Sequence, residues 1–361
     1  MKHQLTQYAL RYPADLTFYA VNLFLAAVNI GLAVTVGDLF AGGTAGEIAA
    51  QAGRNELVGP DGGAAPGFSA TRHLLVALAF LAACGVPSVL SVFSDRAASK
   101  PYARAGGKLA AFLRTFYVHA FYGPYFAEVI VLSQAVWNGA SLDALVAKIE
   151  TALFGIQPAV AFSGALSHLP AVNELFFFGY FSYYVILTTG FWIMFFRGLR
   201  NEARRALFIA TTSFAMLYVW YVFVPVHGPK YFVEALNRVW YSEFEGYLFV
   251  PMMKAVFANM NLGGAAFPSS HVAIGLIAIG LIRKQLPRLF WVYSTLFLLL
   301  CASTVYVYAH YAVDIIAGVL AVPPLFWVSR RLYSWVEGFD VFRPVRAKEP
   351  AAETRPPRAP R

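Results

Sequence analysis

This sequence predicts an all-α, polytopic membrane protein with about eight transmembrane helices, on three observations. Hydrophobic residues make up 59% of the 361, charged residues only 13%, and the mean hydropathy is +0.58; a soluble domain carries about 25% charged residues. The apolar residues are gathered into runs near the ~20 residues that a helix needs to cross the hydrocarbon core. The basic residues that bring the net charge to +9 fall in short segments between those runs. That pattern suits membrane orientation and not nucleic acid.

The first run, Asp15–Val36, follows a polar stretch and is long enough to span by itself, so it reads as a retained helix and not a cleaved leader. His73–Phe93 is the second. Phe112–Trp137, the third, is interrupted by Gly123-Pro124, a pair that kinks or breaks a helix. Glu174–Phe196 and Leu207–Val226 follow. Pro268–Ile282 is short, with its proline at the start, where a helix tolerates one. Leu289–Tyr308 and Ala312–Val328 complete the set. Before the sixth run, the segment Gly246–Met260, with Met252, Met253 and several aromatics, reads as an interfacial lid. The Tyr-rich run around Tyr180, Tyr183 and Tyr184 reads as helix packing and interfacial anchoring. Cys84 and Cys301 lie inside apolar runs and read as small buried hydrophobes. The tail from Arg343, rich in Pro, Ala and Arg, reads as a disordered end. Three parts result: residues 1–110, two helices and an extracytoplasmic loop; 111–330, a six-helix domain; 331–361, a basic cytoplasmic tail.

Counting Lys and Arg orients the set. Ser94–Arg114 carries Arg96, Lys100, Arg104, Lys108 and Arg114; Arg197–Arg205 carries four Arg; Arg283, Lys284 and Arg288 lie between the sixth and seventh runs; Arg330 and Arg331 follow the eighth. All fall on one side if both termini are cytoplasmic in the cell (inner) membrane. The end of the fifth helix, the start of the sixth and the connection from seventh to eighth then share the extracytoplasmic face.

Those three places hold the polar residues of interest. At Pro268-Ser269-Ser270-His271, a Ser N-cap and free backbone N–H groups make either an anion site or an ordinary capped helix start. His310 and Asp314 are spaced i, i+4, on one face of a helix that begins by His310. The carboxylate can fix the imidazole tautomer and leave the other nitrogen as nucleophile, or the pair can simply knit two helices. Ionisable residues kept in a membrane segment mark function by default. Lys230, after Val-His-Gly-Pro, either snorkels to water or binds phosphate; Arg238 on the same linker is a second candidate anion clamp, and His227 is nearby. Glu128 and Glu174 either bind a headgroup or satisfy neighbouring polar groups.

Together these residues resemble the phosphatidic-acid phosphatase type 2 superfamily. Pro268-Ser269-Ser270-His271 looks like its second signature, with Ser270 at a glycine position, and Ser303 to Asp314 looks like its third. Phe223 to Phe232, Leu153 to Pro158, Glu174 and Tyr180 look like the branch containing inositol phosphorylceramide synthases and related bacterial membrane proteins. The resemblance covers roughly residues 110 to 330. It implies a six-helix bundle in which His310 is the nucleophile forming a phosphohistidine, Asp314 orients it, His271 protonates the leaving oxygen, and Ser269, Ser270 and Lys230 bind phosphoryl oxygens. It also implies a lipid phosphate or diphosphate substrate, water or an alcohol as acceptor, and neither metal nor other cofactor. The sequence departs from the pattern at Thr304, where the third signature has arginine, and at Tyr308, where close bacterial relatives have one. Lys230 and Arg238 are one position too far apart for the first signature and lack its proline. A phosphate clamp thin in cations leaves an alternative: a catalytically impaired lipid-binding or transport protein that retains the fold.

Overall fold

The computed structural model describes residues 13–42, 70–91, 104–137, 140–232, 244–259 and 263–338, and among them every regular element is a helix. The first described elements are α1 (Pro13–Gly42) and α2 (Ala70–Ala83, running on after a turn at Cys84-Gly85 to Ser91). Next come α3 (Arg104–Phe116), a 3₁₀ turn (Tyr117–Phe121) and α4 (Tyr122–Val136). α5 (Asp143–Phe154) and α6 (Pro158–Leu166) follow, then α7 (Pro170–Phe196), α8 (Arg200–Phe223) and α9 (Phe249–Asn259). The last three are α10 (Ser270–Ile282), α11 (Pro287–Tyr306) and α12 (Ala312–Glu337). Arg238 and the tail from Arg343 lie outside the described residues.

Among the described residues, six helices are long and apolar enough to cross a membrane: α1, α2 with its continuation, α7, α8, α11 and α12. The expected third run is helical but divided, the 3₁₀ turn separating α3 from α4 just before Gly123-Pro124. The sixth, α10, has 13 residues, about 20 Å at 1.5 Å per residue, against ~30 Å of hydrocarbon. It survives as a core helix because nine of its 13 residues are buried in protein. α12 runs further than expected, with Pro323 and Pro324 inside it. The pair α5 and α6, bent by 73° at Gly155, was not expected at all. Residues 249–259 of the expected lid are a helix, α9.

α8 is the most buried of the candidate spans. It packs against α1, α4, α7, α10 and α12, and Ala203, Ala206, Ala210 and Ser213 on its surface let those neighbours come close. α7, α10 and α11 pack on one another beside it.

α1 and α2 pair antiparallel and are tied to the bundle at both ends. At one end the Arg114 guanidinium donates to both Asp15 oxygens, at 3.0 and 2.5 Å, and to Ser91 Oγ at 2.7 Å. The Tyr117 hydroxyl donates to Asp15 at 2.8 Å. Arg114 and Asp15 are fully buried. At the other end Glu128 accepts from Asn29 at 3.0 Å and pairs with Arg72 at 3.1 Å, while His73 Nδ1 lies 2.6 Å from Asn29 Oδ1. Of the two sequence readings of Glu128, it is therefore the neighbour-satisfying one that the contacts support.

Removing one partner of a buried pair leaves the other charge uncompensated, at about 3–5 kcal/mol. Arg114→Ala should lower the midpoint of thermal unfolding in detergent by that equivalent. The double variant with Asp15→Ala should recover part of the loss.

Candidate active site

Three chain segments meet at one end of the bundle. The first leaves α8 and passes through Val224–Gly228 into a short helical turn, Pro229–Phe232, that carries Lys230. The second is the approach to α10, and the third is the turn from α11 to α12. Backbone hydrogen bonds lace them: Ala266 N–H to Val226 O at 3.0 Å, Ser269 N–H to Asp314 O at 3.0 Å, and Lys230 N–H to Tyr308 O at 3.3 Å. Gly228 adopts φ +97°, and a Cβ there would stand 2.9 Å from the Ala309 carbonyl oxygen. Only glycine fits both the conformation and the space. On α12, Gly318 is pressed against the Ser269 carbonyl in the same way.

The lacing brings the two histidines together. His310 Nδ1 faces two acceptors, the Ala266 carbonyl at 2.9 Å and Asp314 Oδ2 at 3.3 Å. Nδ1 must therefore carry the proton, which leaves the lone pair on Nε2. His271 Nδ1 lies 3.0 Å from that Nε2 and donates to it when the His310 ring is neutral. His310 is 3% exposed and Asp314 0%, and Asp314 Oδ2 also accepts the Tyr311 N–H at 2.9 Å.

Both histidines line a cavity of about 230 Å³. Lys230, His227 and Ser270 share its polar end, and Phe126, Tyr184, Leu187, Phe214 and Phe257 line an apolar remainder between α4, α7, α8 and α9. The Lys230 ammonium sits 5.3 Å from the centre of the Phe257 ring, and burial pushes its pKa down to about 8. Burial also lowers the pKa of His227, with Asp143 opposing.

The sequence-expected residues divide. His271, His310 and Asp314 form one hydrogen-bonded set, with Lys230 and Ser270 in the cavity beside it. Ser269 is fully buried away from the cavity lining. Its hydroxyl caps α10, accepting from Val272 N–H at 3.4 Å. Thr304 is buried and its hydroxyl returns to the Cys301 carbonyl at 2.8 Å, so this position supplies no cation. Glu174 is far from these groups in role. It accepts the N–H groups of Tyr247, Leu248, Phe249 and Val250 at 2.5–3.2 Å and caps α9.

Sequence reasoning took Tyr180 and Tyr183 as helix packing and interfacial anchoring, whereas their ring centres stand 4.9 and 4.4 Å from that of His271. Their i, i+3 spacing on α7 was a usable signal. Sequence reasoning passed over Asp143, which accepts from the backbone N–H of His227 and Gly228.

A family model for the PAP2 superfamily matches residues 144–328, from α5 into α12. The chain belongs to the PAP2 superfamily, and membership suggests a phosphatase or phosphotransferase. The match begins after α4, so α1 to α4 lie outside it. No curated protein and no solved structure matches the chain.

Gly228→Ala should destabilise the fold by about 1 kcal/mol or more, because alanine pays a penalty at positive φ. A thermal midpoint equal to wild type would mean that the turn can relax away from the Ala309 carbonyl.

Proposed function

We propose that the protein is an integral membrane lipid phosphatase or lipid phosphotransferase working through a phosphohistidine on His310. The observation that carries this reading is the tautomer of His310: Nδ1–H is held by Ala266 O and Asp314, and Nε2 keeps its lone pair inside the cavity. Nε2 attacks phosphorus, the bond from phosphorus to the lipid oxygen breaks, and His271 gives that oxygen a proton. His271 then takes a proton from water or an alcohol as its oxygen attacks the phosphohistidine, and the P–N bond breaks. Lys230, Ser270 and the start of α10, capped by Ser269, hold the phosphoryl oxygens. Arg238 is a further phosphate ligand in this reading. Asp314 holds the tautomer and stabilises the cation that forms on His310.

The 3.0 Å contact between the rings leaves no space for phosphorus, so substrate binding must part them. The apolar remainder of the cavity, walled by Phe126, Leu187 and Phe214, suits a hydrocarbon chain and supports a lipid over a water-soluble phosphoester. Topology by the positive-inside pattern supports an extracytoplasmic site, with both termini cytoplasmic. The short α10 supports placing the site below the membrane surface. Within the superfamily, the sequence text around Lys230 supports the branch resembling inositol phosphorylceramide synthases. The rival, a lipid-binding or transport protein without turnover, draws on Thr304, which brings no positive charge to the phosphate.

Purified protein in mixed micelles should release or transfer phosphate from a lipid phosphate, and His310→Ala should lower the rate by ~10⁴-fold or more. Acid-labile label trapped on His310 from a labelled lipid supports the enzyme; binding without trapping or turnover supports the rival. A second check uses pH. The lowered pKa of Lys230, about 8, means that the ammonium is present below that pH and lost above it. Substrate affinity should therefore weaken as pH rises through about 8. Lys230→Arg should abolish that loss, since arginine stays charged.

A further inference from the structure

α5 opens with Asp143, which is 1% exposed. Its carboxylate gathers three donors from two of the segments that form the site. Oδ2 accepts the His227 N–H at 2.8 Å; Oδ1 accepts the Gly228 N–H at 2.9 Å and the Tyr311 hydroxyl at 3.1 Å. The neighbouring Leu142 N–H donates to Pro225 O at 2.7 Å, so the start of α5 is fastened to the loop before Lys230 at two points. Glu150 stands seven residues further along α5, on the same face, and is fully buried. Its Oε1 accepts the Ala312 N–H at 2.5 Å, at the start of the helix that carries Asp314. Neither carboxylate is among the residues lining the cavity.

We infer that α5 is a positioning element for the site: Asp143 sets the Lys230 loop against the His310 turn, and Glu150 fixes the N-terminus of α12. The inference rests on the reading of Lys230 and His310 given above. Its physical content is geometric. Lys230 and His310 belong to segments about 80 positions apart in the chain, and one rigid carboxylate bridges them. Two backbone N–H groups and a phenol converge on it, and a charged acceptor holds such donors about twice as strongly as a neutral one. Displacing one segment by about 1 Å would misplace the phosphate relative to Nε2, an error that costs ~100-fold in rate. A plain helix cap would need only donors from its own helix. Here none of the three comes from α5.

The test uses the full chain in detergent with Asp143→Asn, which keeps the shape but turns one acceptor into a donor facing a donor. Amide hydrogen exchange should rise in residues 226–232 and in 309–314, including the His227 and Gly228 amides themselves, with the other helices unchanged. Turnover of a lipid phosphate should fall about 10- to 100-fold. In a Lys230→Ala background, Asp143→Asn should cost little more, because Asp143 acts on turnover by placing Lys230. Glu150→Leu should raise exchange at 312–314 alone.

Additive losses in the double variant, or unchanged exchange at 309–314, would overturn the inference. If Asp143→Asn does not fold, Tyr311→Phe removes only the bridging hydroxyl and should loosen the same two segments. If wild type turns over no lipid phosphate, the functional reading fails, while the exchange measurements still decide whether Asp143 couples the segments.

Discussion

Asp314 is a carboxylate with no exposure to solvent. The turn before α12 and the start of α10 converge on its Oδ2 and its backbone carbonyl, while Oδ1 is buried without a hydrogen-bond partner among the described residues. A buried charge without partners costs several kcal/mol, more inside a membrane than in water. Its Oδ2 takes the Tyr311 N–H and faces His310 Nδ1, and its backbone carbonyl takes the Ser269 N–H. One residue thus fixes the tautomer of His310, caps the first turn of α12, and holds the start of α10 beside them. The 3.0 Å approach of His271 to His310 follows from that joint constraint.

The same rule shapes the rest of the molecule. Lipid gives helices no hydrophobic reason to associate, so packing of small residues and interhelical polar contacts must do it. The alanines of α8 provide the first. The second is visible in Arg114 with Asp15, Arg72 with Glu128, and Thr17 with Thr212, each joining α1 or α2 to the bundle. Even loops follow it: Glu174 satisfies the free N–H groups of α9, and α9 in turn contributes Phe257 beneath Lys230. Polar residues that look costly in a membrane therefore divide into two kinds. Glu128 and Glu174 are consumed in holding helices, while His271, His310 and Lys230 keep a face to the cavity.

That cavity changes character along its length. Near the histidines it offers Lys230, His227 and Ser270; from α4, α7 and α8 it is lined by Phe126, Leu187 and Phe214, with Tyr122 and Thr188 as polar groups among them. The tyrosines of α7 lie at the junction, with Tyr180 and Tyr183 against the His271 ring. Rings in that position pack the His271 imidazole, whose Nδ1 in turn covers Nε2 of His310 at 3.0 Å. The missing cation at Thr304 is a matter of direction as well as residue type, because its short side chain turns back to its own helix.

The sequence by itself determined the class of fold, most of the spans, and the grouping of His271, His310, Asp314 and Lys230. These are one-dimensional signals: run length against membrane thickness, charge between runs, and the nearness of His310 to Asp314. The helix begins at Ala312 and not by His310, so that pair meets across the N-cap and not on one helical face. The sequence reading misjudged helix ends such as that of α12, whose last turns from Arg330 to Glu337 are mostly exposed and carry no apolar run to mark them. It missed α5 and α6, whose runs are shorter than a span and separated by the turn at Gly155. Tertiary structure alone decided that Ser269 faces inward as a cap while Ser270 faces the cavity, because adjacent residues at a helix start point about 100° apart. It alone put Asp143 against the loop before Lys230, since a contact between residues 143 and 228 leaves no trace in local pattern. The 3.0 Å separation of the two imidazoles is the clearest case: it depends on where three helix ends stop in space, and that is set by packing.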